Sequence, residues 1–74
     1  MDKPPLGPAT VLVLAAYIEI AGDVDTRDRI TFADQADALL RAGWDSTEVA
    51  RLARRFAKLG VEPQGFARWA QKRR

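Results

Sequence analysis

The 74-residue chain predicts an all-α fold, a compact bundle of three to four short helices over about residues 10–21, 32–42, 46–59 and 63–72. Three observations predict it. Apolar residues recur at intervals of three and four through most of the chain, which is the spacing of one face of an α-helix. Gly22, Gly43 and Gly60 fall where three of these runs stop, and a glycine in the left-handed conformation is a common helix terminator. Thr10, Thr31 and Asp45 stand just ahead of the runs, where a side-chain oxygen can accept the free amides of a first turn.

The opening residues, Met1 to Pro8, hold three prolines and a glycine, which remove amide donors and disfavour helix. They are expected to form an extended tail, leaving 9–74 as a single helical domain. Thr10 is the expected cap of a first helix over Val11–Ala21. A strand is the rival there, because Val, Leu, Tyr and Ile suit strands. The pair Ala15-Ala16, the length, and the lack of a partner strand favour helix. Apolar side chains cover almost the whole circumference of this helix, more than three short neighbours can bury. Leu12, Leu14, Tyr17 and Ile18 are therefore candidate residues of a homodimer or protein-partner interface.

The segment Asp23–Arg29, DVDTRDR, reads as a charged loop. Thr31 is the expected cap of the second helix, with Asp34 in its first turn and Phe32, Ala36, Leu39 and Leu40 as its buried stripe. Gly43 ends it, and Trp44 is placed to fold back on Leu39. The third helix carries the clearest signals: Asp45 as cap, Glu48 three residues on, and Trp44 positioned against Val49. Val49, Leu52, Ala53, Phe56 and Leu59 form its apolar stripe, with Arg51, Arg54, Arg55 and Lys58 on the opposite side. Pro63 suits the first turn of a fourth helix whose Phe66, Trp69 and Ala70 face the core. The basic end, Gln71 to Arg74, complements the negative end of that helix dipole.

Charge is unevenly spread. The net charge is +2, but residues 1–47 carry four basic and eight acidic side chains whereas residues 48–74 carry eight basic and two acidic ones. The second part is the one expected to meet an anion. Arginine outnumbers lysine nine to three and alanine is the commonest residue, a bias of GC-rich bacterial or phage coding sequence. There is no cysteine and no histidine. That excludes disulfides, Cys/His zinc sites, thiol redox chemistry and the Cys/His or Ser/His/Asp nucleophilic sets. With none of these staples, self-association is the remaining one for so small a core.

An enzyme is not expected. Asp23, Asp25 and Asp28 are the candidate carboxylates, and acid/base work needs them around a pocket of roughly 300 Å³ or more, which would consume most of this core. No cofactor and no small-molecule substrate are expected either. The apolar run Val11–Ala21 is interrupted by Glu19 and falls well short of the ~20 residues of a membrane span. The start of the chain lacks the pattern of a secretory signal, so a cytoplasmic location is expected.

Two stretches resemble known motifs. ALLRAGWDSTEVARLARRF, within Gln35–Arg55, resembles the helix-turn-helix superfamily: Gly43 in the turn, Trp44 as the turn hydrophobe, Val49 and Leu52 spaced to lock the second helix on the first. Leu39 departs from the pattern, which usually has alanine four residues before the glycine, and Asp45 and Glu48 at the leading edge would repel phosphate. The resemblance implies a double-stranded DNA partner, with Ser46, Thr47, Ala50, Arg51 and Arg54 towards the groove. Arg55, Lys58, Arg68, Lys72, Arg73 and Arg74 would then meet phosphates. DVDTRDRITFAD, Asp23 to Asp34, resembles an EF-hand calcium loop through Asp23, Asp25, Asp34 and Ile30. Arg27 stands where an oxygen ligand is needed and Asp28 where the turn glycine is needed, so no metal is expected and an acidic, helix-capping segment accounts for the residues.

Two function classes follow for this non-enzymatic chain. One is a small DNA-binding regulator, dimeric through the first helix. The other is a protein-interaction module, of the kind of a bacterial or phage inhibitor or adaptor, docking through the same helix or a charged face.

Overall fold

A computed structural model of the chain describes residues 7–73, and among them it is all-helical with no strand. In order run α1 (Pro8–Ala21), α2 (Thr26–Arg41), α3 (Ser46–Ala57), a 3-10 turn (Pro63–Gly65) and α4 (Phe66–Gln71). Residues 1–6 of the expected tail lie outside the described residues. Of its last two residues, Gly7 caps α1 and Pro8 is the first residue of that helix.

The core is built on aromatic rings drawn from all four helices. Tyr17 of α1 stacks on Phe32 of α2 with ring centres 4.0 Å apart. Phe32 leans on Phe66 of α4 at 4.6 Å, and Phe66 meets Phe56 of α3 edge-on at 5.2 Å. Trp69 closes against Phe56 at 5.3 Å. Around this cluster pack Val13, Ala16, Ala36, Leu39, Trp44, Val49, Leu52 and Ala53. The most extensive helix pair is α1 with α3; α2 and α3 touch little beyond their connecting turn.

Several local expectations are corrected. α1 begins with Gly7 as cap and Pro8 as first residue, a position whose missing amide hydrogen would have no helical partner anyway. Thr10 is not a cap. It lies inside α1, 2 % exposed, and its hydroxyl donates to the Asp37 carboxylate of α2 at 3.3 Å. That carboxylate also accepts from Arg41 Nε at 2.7 Å.

α2 begins six residues earlier than expected. Asp25 caps it, accepting the Asp28 amide at 2.8 Å, so most of the DVDTRDR segment is helix and not loop. The caps Asp25-x-x-Asp28 and Thr31-x-x-Asp34 look alike in sequence, and the structure uses the first; the residues it adds, Thr26 to Thr31, are exposed or half-buried and none joins the core. Thr31 and Asp34 sit in its interior, with Asp34 exposed. Because residues 26–34 are helical, the calcium-loop resemblance has no loop geometry behind it.

The α2–α3 connection follows the expected scheme. Gly43 takes φ +98°, its amide donates to Leu40 and the Trp44 amide donates to the Leu39 carbonyl, both at 3.1 Å. This double closure satisfies carbonyls that the last turn leaves open. Asp45 then caps α3, accepting the Thr47 and Glu48 amides at 3.1 and 3.3 Å.

α3 stops two residues short of the expected end. Leu59 and Gly60 donate to carbonyls three residues back, at Phe56 and Ala57. That tightening rotates Leu59 away from the apolar stripe, and it is 53 % exposed. The fourth expected helix is a 3-10 turn running into a short α4. α4 has no cap of its own in sequence; Gln35 of α2 reaches across, and its side-chain oxygen accepts the Ala67 amide at 2.9 Å.

Candidate nucleic-acid interface

α3 has two chemically distinct sides. Val49, Ala50, Leu52, Ala53 and Phe56 are buried against the core. Thr47, Arg51, Arg54, Arg55 and Lys58 are exposed on the opposite side, because at about 100° per residue they fall within a single sector of the helix. From Arg51 to Lys58 the rise is roughly 10 Å, close to the ~12 Å width of a DNA major groove. Ser46 is half-exposed at the leading end. Ala50 is 6 % exposed and packs inward, so the groove-facing position expected of it is corrected: it lies at the edge of the buried stripe, between Ala57 and Arg54 around the helix.

The cations of this face differ from those of the first half of the chain in how they are used. Arg41 is tied to Asp37, and Arg29 Nε donates to the Val24 carbonyl at 2.9 Å. On α3, Arg54 alone has an acidic partner among the described residues: Glu19 of α1, at 3.6 Å, with both side chains largely in solvent. Arg51, Arg55 and Lys58 have none. Of the two carboxylates at the leading end, Asp45 is engaged in capping and Glu48 is half-buried in the first turn.

The remaining expected phosphate contacts form a separate group on α4. Arg68 and Lys72 are exposed. Arg73 is exposed too, but its guanidinium lies 4.9 Å over the Trp69 ring, a cation–π contact that holds the end of α4. Arg74 lies outside the described residues.

The residues expected at a partner interface split. Tyr17 is 5 % exposed and stacked on Phe32, which corrects its assignment: it is a core residue. Leu14 and Ile18 are half-buried against the core edge. Leu12 is 55 % exposed, and sequence reasoning missed its neighbour Val11, 50 % exposed, because nothing in a uniformly apolar helix marks which side is covered.

A surface cleft of about 420 Å³ opens between the start of α2 and the 3-10 turn, lined by Arg27, Asp28, Thr31, Glu62, Pro63 and Gln64. It lies outside the core, and the Gln64 amide is already donated to Glu62 at 2.6 Å. Asp23, Asp25 and Asp28 do not converge on it, since Asp25 caps α2 and only Asp28 lines the wall. Among the described residues no three acidic side chains gather as a cation site, and no helix is long and apolar enough to cross a membrane.

Compared with family models, curated proteins and solved structures, the chain matches none.

Proposed function

We propose that the protein binds duplex DNA through the outward face of α3. The observation that carries this is the row Arg51, Arg55 and Lys58, side by side on one capped helix and, among the described residues, without acidic partners. An unpaired row of this kind serves phosphate neutralisation, and arginine suits it because its planar fork can meet two phosphate oxygens at once. The resemblance of Gln35–Arg55 to the helix-turn-helix superfamily points to the same face. Ser46 and Thr47 offer hydroxyls at its leading end, and Arg68, Lys72 and Arg73 add flanking charge. Asp45 disfavours deep entry of the leading end, so backbone contact from the middle and end of α3 dominates over base reading.

Binding of this type is salt-dependent. With about four phosphates neutralised, the logarithm of affinity falls with the logarithm of salt concentration with a slope near −3.6. Fluorescence anisotropy on a mixed-sequence duplex, at low and moderate salt, tests it. The expected result is binding at low salt that weakens along that slope and is abolished by the combined substitution R51A/R55A/K58A, with helix content intact. Absence of binding at low salt would remove the proposal. Docking of the same face on an acidic protein predicts that outcome, with capture from lysate that survives nuclease.

A further inference from the structure

Among the described residues, the outward side of α1 presents an apolar surface that the other helices leave uncovered. Pro8, Leu12, Ala15 and Glu19 are all exposed there, with Val11 exposed and Ile18 half-buried along one flank. Their spacing of four, three and four is the seam of a helix that packs on another helix at a shallow angle. The seam also has a symmetry of its own. Turned end for end about a point between Val13 and Leu14, it lays Leu12 on Ala15 and Pro8 on Glu19.

Both pairings are complementary. Leucine against alanine sets a large side chain into a space left by a small one, twice around a two-fold axis, and lets the helices approach closely. The other pairing brings a carboxylate to the first turn of α1, where Gly7 supplies no side-chain cap and no acidic residue is present. A negative charge is favourable there. Glu19 is the one charged residue of α1 and already leans on Arg54 of its own chain, so closing the seam strands no charge. A parallel arrangement would set Leu12 on Leu12 and Glu19 on Glu19, with like charges facing.

We infer that α1 pairs with α1 of a second copy in an antiparallel, two-fold arrangement centred between Val13 and Leu14. The inference holds whether or not α3 meets DNA. A helix of 14 residues, about 21 Å long, offers less than the ~800 Å² per partner of a standard interface. The dimer is accordingly weak, with a dissociation constant on the order of 10–100 μM.

Sedimentation equilibrium on the full chain without DNA tests the pairing. The expected result is a mass rising with concentration from that of the 8.2 kDa chain to twice that value. L12E and A15E should each weaken association by roughly tenfold or more while helix content is unchanged, because both side chains are exposed in the single chain. A38E, on the exposed side of α2, should leave it unaltered. For the register, proteins carrying L12C and A15C are mixed with a short bismaleimide; the chain's lack of cysteine makes the reaction clean. The mixed 12–15 product should dominate. A monomer at every concentration, a dimer insensitive to L12E and A15E, or 12–12 products in place of 12–15 would each overturn the inference.

Discussion

α1 and α3 pack on each other more than any other two helices of this protein, yet they are specified in opposite ways. α3 carries its own instructions. Asp45 caps it, Glu48 sits in its first turn, Arg54 and Arg55 in its last, and apolar and charged residues separate onto two sides. α1 has no side-chain cap, no acid in its first turn and no base in its last, and its apolar residues lie on every side. Its inward face is decided by what the other helices offer: Tyr17 goes in because Phe32 is there to stack on. A helix with strong local signals can be oriented from its sequence, whereas one without them is oriented by its neighbours.

The comparison breaks most severely at the shared core. Phe56, 2 % exposed, touches the rings of Tyr17, Phe66 and Trp69, and so joins α3 to α1 and α4. F56A should cost about 3–5 kcal/mol, which is all the stability that a core of this size ordinarily supplies. Circular dichroism should show a largely unfolded chain at 25 °C. The matching truncation on the uncovered side of α1, L12A, should change stability by less than about 0.5 kcal/mol. A folded F56A would mean that the helices cohere without the aromatic cluster.

Tyr17 allows the same cluster to be opened by pH. Burial, and secondarily the Asp28 carboxylate, hold its phenol above the ordinary value of 10.0. The unfolded chain therefore loses that proton first, so the stabilisation is complete below pH 10 and falls as pH rises beyond it. Thermal melts should show a midpoint that declines above pH 10, and Y17F should flatten the decline. An equal decline in Y17F would place the alkaline sensitivity elsewhere.

The caps give the next effect. D45A removes the acceptor of two first-turn amides and should cost about 1 kcal/mol, within a usual range of roughly 0.5–2. Q35A should cost about as much, since it leaves the Ala67 amide of α4 without its acceptor. Denaturant midpoints measure both, and a Q35A variant equal to the parent would show that α4 does not depend on α2 for its start.

These two caps also mark what was legible in the sequence. Asp45, Gly43, Trp44 and the buried stripe Val49–Phe56 are local: each acts on residues within about one turn, so spacing alone reveals them. Gln35 acts on a residue 32 positions away and Thr10 on one 27 positions away, and neither has a local signature. The start of α2 was hidden for a related reason. Its first turns bear charges that resemble a loop, and Asp25 and Thr31 offer equivalent capping patterns, so spacing alone does not choose between them. The cationic row of α3 was legible because amphipathicity fixes both sides of a helix at once. The placement of Ala50 and Leu59 was not, since one sits at the edge of the stripe and the other where the last turn tightens.

The smallest effect sharpens the comparison by giving α1 what α3 has. Gly7 adopts φ −68° and ψ 159°, an extended conformation open to any residue, and a side chain built there meets no atom within 4 Å. G7D places a carboxylate where it can accept first-turn amides and oppose the helix dipole, a gain of about 0.5 kcal/mol, or roughly 2–4 °C in melting temperature. The same charge sits where the antiparallel pairing brings Glu19 of a second copy, so G7D should stabilise the single chain while weakening its self-association. Melting at low concentration and sedimentation at high concentration read the two effects separately. A gain in both would argue that Glu19 never approaches that turn, and a loss of stability would show that the first turn of α1 is already satisfied without a cap.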